Sequence, residues 1–160
     1  MEGIRSLYKR VSPVFPNLDI LFVNAGYGRF APIEAVSEDI VDEIFTVLVK
    51  GTFFTVQSLL PLMTEGASII LNTSVVTQYG ASYSSVYSAA KSAVSAFVKT
   101  FAAELASRKI RVNAVSPGYT ATNGFQKTGM TEKQITLQFN QLFRHCLLKD
   151  SHKHWKLPMR

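Results

Sequence analysis

Three short apolar runs, each ended by small or polar residues, divide the first 118 residues of the chain. They extend from Asp19 to Val23, from Ser68 to Asn72 and from Arg111 to Val115. Continuous apolar runs of this length are typical of strands that are buried on both faces, as in a parallel sheet. The pattern therefore predicts three strands of a parallel sheet.

Helical periodicity fills both intervals between these strands. Apolar side chains recur every three or four residues from about 38 to 63, behind Ser37 as a suitable N-cap, and again over about 83–107. A weaker pattern spans about 131–148, and residues 149–160 show none, so we expect a loose tail there. Alternating strands and helices imply right-handed crossovers and an α/β fold with helices on both faces of the sheet.

The composition fits one globular domain without membrane or disulfide anchors. The chain has 160 residues, of which 47% are hydrophobic, and a single cysteine, Cys146. No apolar run approaches the ~20 residues of a membrane helix, and the first residues lack a signal-peptide stretch. We therefore expect no membrane partner, and a reducing, cytoplasmic location.

The net charge of +6 is concentrated at the two ends of the chain. Residues 1–10 carry three basic and one acidic side chain, residues 141–160 carry five and one, and residues 11–140 carry nine of each. Nucleic-acid-binding proteins usually concentrate basic charge on a folded face, so we expect no specific nucleic-acid partner. We expect no metal site either, because no usual zinc spacing relates His145, Cys146, His152 and His154.

Candidate chemistry lies where the predicted strands end, since ligands of open α/β sheets bind beyond the carboxyl ends of the strands. Tyr87 and Lys91 are four residues apart and so share one helix face. A free tyrosine has a pKa of about 10, and a nearby ammonium lowers that pKa. With Ser74 at a strand end to hold a substrate oxygen, these residue types suit proton transfer at a carbonyl or an alcohol.

Four motifs resemble those of the short-chain dehydrogenase/reductase family, in the same order and spacing. They are Asn24-Ala25-Gly26, Asn72-Thr73-Ser74, Tyr87-Ser88-Ala89-Ala90-Lys91 and Asn113-Ala114-Val115-Ser116-Pro117-Gly118. The resemblance covers about residues 18–125. It implies a partial Rossmann-like, doubly wound parallel sheet, the second half of the family fold, within residues 1–148. It also implies hydride transfer between NAD or NADP and a small carbonyl or alcohol substrate.

The resemblance assigns roles by position. Tyr87 corresponds to the acid–base, Lys91 to the residue that contacts the nicotinamide ribose and tunes Tyr87, and Ser74 to the residue that orients the substrate oxygen. Tyr87 and Lys91 are both implied to contact the cofactor. Further cofactor contacts are implied along the adenosine side for Asn24, Ala25 and Gly26, and beside the nicotinamide and pyrophosphate for Pro117, Gly118 and Thr122.

The sequence departs from the family at several points. The glycine-rich phosphate loop, which in the family lies two strands and two helices before Asn-Ala-Gly, has no counterpart in the roughly 18 residues that precede the first predicted strand. The residues that select NAD or NADP are absent with it. Leu48 replaces the asparagine of an Asn-x-x-Gly stretch that belongs to a proton relay in the family. The C-terminal residues also differ from the family's usual ending.

The segment from Gly26 to Ala31 matches G-x-G-x-x-A in form only. A dinucleotide fingerprint continues directly into a helix, whereas Pro32 and the late N-cap at Ser37 predict a loop. We therefore interpret these glycines as a flexible strand exit rather than as a phosphate site.

Two functions remain open at this point. The chain is either an active NAD(P)-dependent oxidoreductase, or a non-catalytic truncated isoform that associates with a full-length relative. Without the family's preceding strand, the first predicted strand exposes an apolar edge, which favours pairing with another chain. We expect a homo- or hetero-oligomer formed through the helices at 38–63 and 83–107.

Overall fold

The structure is a computed structural model that describes residues 2–118, 131 and 133. Its three strands form a parallel sheet in the order β1-β2-β3, with β1 at Leu18–Val23, β2 at Met63–Asn72 and β3 at Arg111–Val115. Register pairs Leu21 with Ile69, and Ile69 with Val112. The three predicted strands and their parallel arrangement are confirmed, and β2 begins five residues earlier than its apolar run.

The helices follow the predicted periodicity. They are α1 at Glu2–Arg5, α2 at Leu7–Val11, α3 at Glu38–Ile44, α4 at Gly51–Leu59 and α5 at Ser85–Leu105. Short 3-10 turns occupy Ile33–Ala35, Leu60–Leu62, Val75–Thr77 and Ala106–Arg108. Ser37 caps α3, because its side chain accepts a hydrogen bond from the Ile40 N–H at 3.4 Å.

The helix predicted over 38–63 is not regular throughout. A π-helical segment, Phe45–Lys50, separates α3 from α4. The π turn is one residue wider than an α turn, and such insertions occur frequently at functional sites. It lies around Leu48, the position that departs from the family pattern.

One face of the sheet forms the core. Ile69 and Leu71 of β2 are fully buried, and Val112 of β3 is nearly so, against Val56 of α4 and Val94 of α5. Each fully buried aliphatic side chain contributes about 1.5–3 kcal/mol of transfer free energy. The core therefore fixes α5, and with it Tyr87 and Lys91, against the sheet.

The opposite face of the sheet is open in the described part of the chain. Ile20 is 67% exposed, Phe22 52% and Val115 48%. The expectation that the strands are buried on both faces is therefore wrong for β1 and β3. The described helices α4 and α5 pack through the other set of alternating side chains.

The helical stretch Glu38–Leu62 has the length and composition of a membrane-spanning helix, with a mean hydropathy of 1.4. This differs from the sequence expectation that no apolar segment is long enough. The same stretch buries Ile44, Leu48, Val56 and Leu59 inside the fold, as core helices of other proteins also do.

The fold described above lies in one compact unit, Met1–Gly129, and Thr131 and Lys133 belong to a second unit, Met130–Arg160. Several predictions fall outside the described residues. They are the cofactor role of Thr122, the tail at 149–160, the histidines and Cys146, and all but Thr131 and Lys133 of the helix at 131–148.

Candidate active site

The carboxyl ends of the three strands are tied to one another. Thr73, immediately after β2, donates to the Val115 carbonyl from its backbone N–H at 2.9 Å and from its hydroxyl at 3.1 Å. The Val75 N–H donates to the Pro117 carbonyl at 3.1 Å. On the other side, the Asn72 amide donates to the Asn24 side-chain oxygen. The strand ends that the sequence singled out therefore lie at one edge of the sheet.

Ser74 is held at this edge by its own local turn. Its side-chain oxygen accepts from the Val76 N–H at 3.4 Å, and its carbonyl accepts from the Thr77 hydroxyl at 2.9 Å. This is the usual way in which a serine opens a short turn. The residue is buried, so its hydroxyl position is fixed by the fold rather than by solvent.

Tyr87 and Lys91 lie in the first two turns of α5 and reach the same edge. The helix start is anchored by Ser84, whose hydroxyl donates to the Ala81 carbonyl at 2.6 Å. The Ser74 side chain is close enough to the Tyr87 hydroxyl to act on its pKa. The Lys91 ammonium donates to the Asn72 carbonyl at 2.7 Å and lies 5.9 Å from the centroid of the Tyr87 ring. The three predicted catalytic residues are thus brought together from two elements.

The pKa of Tyr87 is raised above its ordinary value of 10.0, chiefly because the side chain is buried, while its hydrogen bond with Ser74 acts in the opposite direction. The expected lowering of the Tyr87 pKa by Lys91 is therefore wrong for the chain in this state. The ammonium is engaged by the Asn72 carbonyl instead of the phenol oxygen. Removal from water disfavours the phenolate, and this effect dominates.

Lys91 is affected by the same removal from water. Burial lowers the pKa of its ammonium from 10.5 to about 8. One of its three N–H groups is used by the Asn72 carbonyl. In the part of the chain that the structure describes, the other two have no hydrogen-bond partner.

This lowered pKa predicts a dependence of stability on pH. Below about pH 8 Lys91 is protonated in both the folded and the unfolded chain. Between about pH 8 and pH 10 the unfolded chain binds a proton that the folded chain has lost, so this group makes the free energy of unfolding rise with pH. We expect a rise of the order of 1 kcal/mol in wild type relative to Lys91→Met. Urea unfolding of both proteins at about pH 7 and about pH 9.5 measures it, and parallel behaviour of the two would contradict it.

Leu48 fills the space beneath the loop that follows β1. It is almost completely buried in a cluster with Ile44 and Ala90, and Tyr87 packs against this cluster. A Cβ at Gly26 would collide with the Cδ2 atom of Leu48. The apolar side chain that replaces the family's asparagine therefore requires a glycine at position 26.

This packing predicts that Gly26→Ala destabilises the fold by about 1–3 kcal/mol, the usual cost of overpacking. The cost should shrink in a Leu48→Ala background, where the colliding atom is gone. Gly80→Ala is the matched control, since a Cβ there meets nothing within 4 Å. Chemical denaturation of wild type, Gly26→Ala, Leu48→Ala and the double variant gives the coupling energy between positions 26 and 48. Equal costs of Gly26→Ala in both backgrounds would argue against the contact.

The residues present fit the nicotinamide–ribose end of a dinucleotide. The side-chain oxygen of Asn72 is buried and has no hydrogen-bond partner among the described residues, while the backbone carbonyl of the same residue accepts from Lys91. Asn24, Ala25 and Gly26 are exposed there, as is Gly118, and Pro117 is half-buried. These are the predicted cofactor contacts, apart from Thr122.

The phosphate end of such a cofactor has no comparable cradle among the described residues. The segment Gly26 to Ala31 leads into a loop and the short turn Ile33–Ala35, and α3 begins only at Glu38. It does not open onto a helix N-terminus, so the prediction of a strand exit is confirmed.

The contacts that this loop makes with the Tyr87 ring and with α3 were not predicted from the sequence. The Phe30 ring packs on the Tyr87 ring with centroids 5.3 Å apart, and Glu43 of α3 accepts hydrogen bonds from Tyr27 and Arg29. No periodic relation links Glu43 to the loop, so the pattern held no signal for it. The aromatic and charged residues next to a strand end were the only sequence clue.

Comparisons with known proteins agree with these motifs. A family model described as enoyl-(acyl carrier protein) reductase matches residues 1–143. An uncharacterized oxidoreductase of Methylorubrum extorquens is 41% identical over 131 residues, which are 82% of this chain and 53% of that protein. The 3-oxoacyl-[acyl-carrier-protein] reductase of Thermotoga maritima is 38% identical over 134 residues, which are 82% of this chain and 52% of that protein.

Solved structures give the same result for the fold. A dehydrogenase/reductase from Sinorhizobium meliloti superposes with a TM-score of 0.75 at 28% identity, covering 84% of this chain and 53% of that chain. A short-chain dehydrogenase from Burkholderia cenocepacia in complex with NADP superposes with a TM-score of 0.73 at 31% identity, covering 77% and 51%. The chain thus spans about half the length of the relatives that it matches.

Proposed function

The chain belongs to the short-chain dehydrogenase/reductase family, and on this premise we propose that it is the acid–base part of an NAD- or NADP-dependent oxidoreductase site. Its substrate is a small carbonyl compound or the corresponding alcohol. The observation that carries the proposal is the meeting of Ser74, Tyr87 and Lys91 at the carboxyl edge of the sheet.

In this proposal a bound nicotinamide ring supplies the hydride. Tyr87 donates its phenolic proton to the substrate oxygen as negative charge develops there. Its raised pKa keeps the phenol protonated at neutral pH, which is the form that a proton donor requires.

Ser74 and Lys91 support the proton transfer. The Ser74 hydroxyl holds the substrate oxygen beside the Tyr87 hydroxyl, on whose pKa it already acts. Lys91 lies close to the Tyr87 ring, held by the Asn72 carbonyl, and from there would position the cofactor beside the Tyr87 hydroxyl. The two further N–H groups of Lys91 bind hydroxyls of the cofactor ribose.

The residues at the strand ends complete the cofactor contacts in this proposal. Asn24, Ala25 and Gly26 would contact the adenosine side of the cofactor, and Pro117 and Gly118, with Thr122 from the sequence motif, would contact the nicotinamide and the pyrophosphate. The solved relative in complex with NADP supports a nicotinamide dinucleotide as the ligand. Both NAD and NADP remain candidates.

A second candidate function is a non-catalytic partner of a full-length relative. The observation that favours it is Leu48, a buried apolar side chain where the family carries a polar relay residue. The exposed apolar side chains of β1 are a further reason to expect association with another chain. In this case α3, α4 and α5 provide the contact between the two chains.

Turnover separates the two candidates. The purified 160-residue chain is incubated with NADH or NADPH and a panel of aldehydes and ketones, and the alcohols formed are measured by gas chromatography. Alcohol production by the chain alone supports the oxidoreductase. A folded chain that produces no alcohol, but co-elutes with a full-length relative in size-exclusion chromatography, supports the non-catalytic partner.

A further inference from the structure

The loop from Asn24 to Ala31 forms a wall beside Tyr87. The Phe30 and Tyr87 rings are 5.3 Å apart between centroids and inclined at 56°, an arrangement typical of attractive aromatic pairs. A Cβ at Gly28 would lie 2.7 Å from two atoms of the Phe30 ring and 3.2 Å from Cδ2 of Tyr87. The loop backbone, Phe30 and Tyr87 are therefore in direct contact, and a larger residue at position 28 would displace the ring.

One carboxylate holds this wall in place. Glu43 accepts a hydrogen bond from the Tyr27 hydroxyl at one oxygen, and from the Arg29 guanidinium at the other, at 3.1 Å. These two donors lie on either side of Gly28 in the chain. At the far end of the loop the Ala31 N–H donates to the Tyr83 carbonyl at 3.0 Å, which ties the loop to the segment before α5.

The face of the wall that contacts Tyr87 is aromatic, because Phe30 is the side chain that packs on the Tyr87 ring. The Arg29 guanidinium is directed to the Glu43 carboxylate. Beyond Phe30 the loop continues with apolar side chains, and Ile33 is 79% exposed. A flat apolar group attached to the substrate carbonyl can pack on such a surface, whereas a carboxylate there would lose hydration without gaining a partner.

We propose that Phe30 is a specificity-determining residue that selects carbonyl compounds bearing a flat, non-ionic aromatic or conjugated group, and that Glu43 is the positioning residue that holds Phe30 against Tyr87. The inference rests on the proposed function, since it concerns the substrate of the same site. It goes beyond that function by assigning a substrate class and two residues outside the Ser74, Tyr87 and Lys91 set.

The specificity test compares a flat aromatic aldehyde with a saturated one, and takes the change in preference between variants, in which the intrinsic reactivity of each aldehyde cancels. We expect Phe30→Ala to lower kcat/KM for 2-naphthaldehyde by about tenfold, in line with loss of one aromatic contact, and to leave kcat/KM for cyclohexanecarbaldehyde nearly unchanged. Phe30→Leu, which preserves most of the apolar volume, should show the same change in preference without loss of folding. Phe15→Ala removes an exposed phenylalanine before β1 and is the matched control. The anionic 4-formylbenzoate should be a poor substrate for all of these proteins.

The positioning test uses two carboxylates of α3. Glu43→Ala should reduce the preference for 2-naphthaldehyde as Phe30→Ala does, because it releases the loop. Asp42→Ala, the same change one residue earlier on an exposed carboxylate, should not.

The ionisation of Tyr87 can be followed without turnover. It is measured as the part of the tyrosinate absorbance that the Tyr87→Phe protein lacks. Because burial raises the pKa of Tyr87, both Phe30→Ala and Glu43→Ala should lower that pKa, and the two control variants should not.

Failure of the inference is distinguishable from failure of the proposed function. If Tyr87-dependent reduction persists and Phe30→Ala keeps the wild-type preference, the inference is overturned and the function stands. If the wild type reduces nothing, binding of 2-naphthaldehyde, followed by saturation-transfer NMR, decides the inference. Binding that is lost in Phe30→Ala supports the aromatic wall, and equal binding, or no binding to the wild type, overturns it.

Discussion

Replacing Tyr87 with phenylalanine is expected to lower the rate of carbonyl reduction by about 10²–10⁴-fold, the usual contribution of a positioned proton donor. The substitution removes the hydroxyl and keeps the ring that packs against Phe30 and the Leu48 cluster. Folding and cofactor affinity should therefore change little, and the loss should fall on kcat. Steady-state kinetics of wild type and Tyr87→Phe, with a thermal melt of each, measure this.

The control for Tyr87→Phe is Tyr8→Phe, which removes the hydroxyl of an exposed tyrosine in the N-terminal helix α2. It should leave the rate unchanged. A Tyr87→Phe protein that is folded and reduces the substrate at the wild-type rate would remove Tyr87 from the mechanism. Ser74 and Lys91 would then lack the group that they are proposed to support.

The second large effect is expected for Lys91→Met. A charged hydrogen-bond donor is worth about 1.5–3 kcal/mol, so we expect kcat/KM to fall about 10- to 100-fold. The KM for the cofactor should respond, because Lys91 is proposed to hold the ribose, and kcat should respond because the cofactor is then misplaced beside Tyr87. Methionine preserves the length of the aliphatic stem that packs at the start of α5.

Lys99→Met is the matched control for this change, since Lys99 lies on the same helix and is exposed. It should not affect either parameter. A fall in kcat without any change in the KM for the cofactor would assign Lys91 to Tyr87 alone. Unchanged kinetics in Lys91→Met would contradict the role proposed for this lysine.

The parts of the fold that local sequence determines were predicted correctly. The apolar runs of β2 and β3 specify strands, and a spacing of four residues places Tyr87 and Lys91 on one helix face whatever the rest of the fold. Ser74 could be placed near them because parallel strands end at a common edge. These features need only short-range patterns and a general rule of sheet architecture.

The parts that depend on tertiary packing were not predicted. The π turn at Phe45–Lys50 is invisible to a search for helical periodicity, since one added residue shifts the pattern only slightly. The pKa of Tyr87 is set by how deeply the ring is buried, and this depth comes partly from Phe30. The exposure of Ile20 and Phe22 likewise depends on what covers the strand, not on the strand's own residues.

Cofactor affinity is the property that the described residues explain least. In the proposed function Lys91 and the strand ends contact the nicotinamide and its ribose, but no helix begins directly after Gly26 to Ala31 to hold the pyrophosphate. Binding must then depend mainly on Lys91 and the strand ends. Affinity for the cofactor, rather than proton transfer, therefore most directly distinguishes a working oxidoreductase site from one that keeps the family motifs without the activity.

The most direct measurement is therefore calorimetric titration of NADH and of NADPH into the purified 160-residue chain, with circular dichroism to establish that the sample is folded. We predict micromolar binding of at least one of the two cofactors, weakened in Lys91→Met and retained in Tyr87→Phe. A folded chain that binds neither cofactor up to millimolar concentration would contradict the proposal that these residues form a working oxidoreductase site.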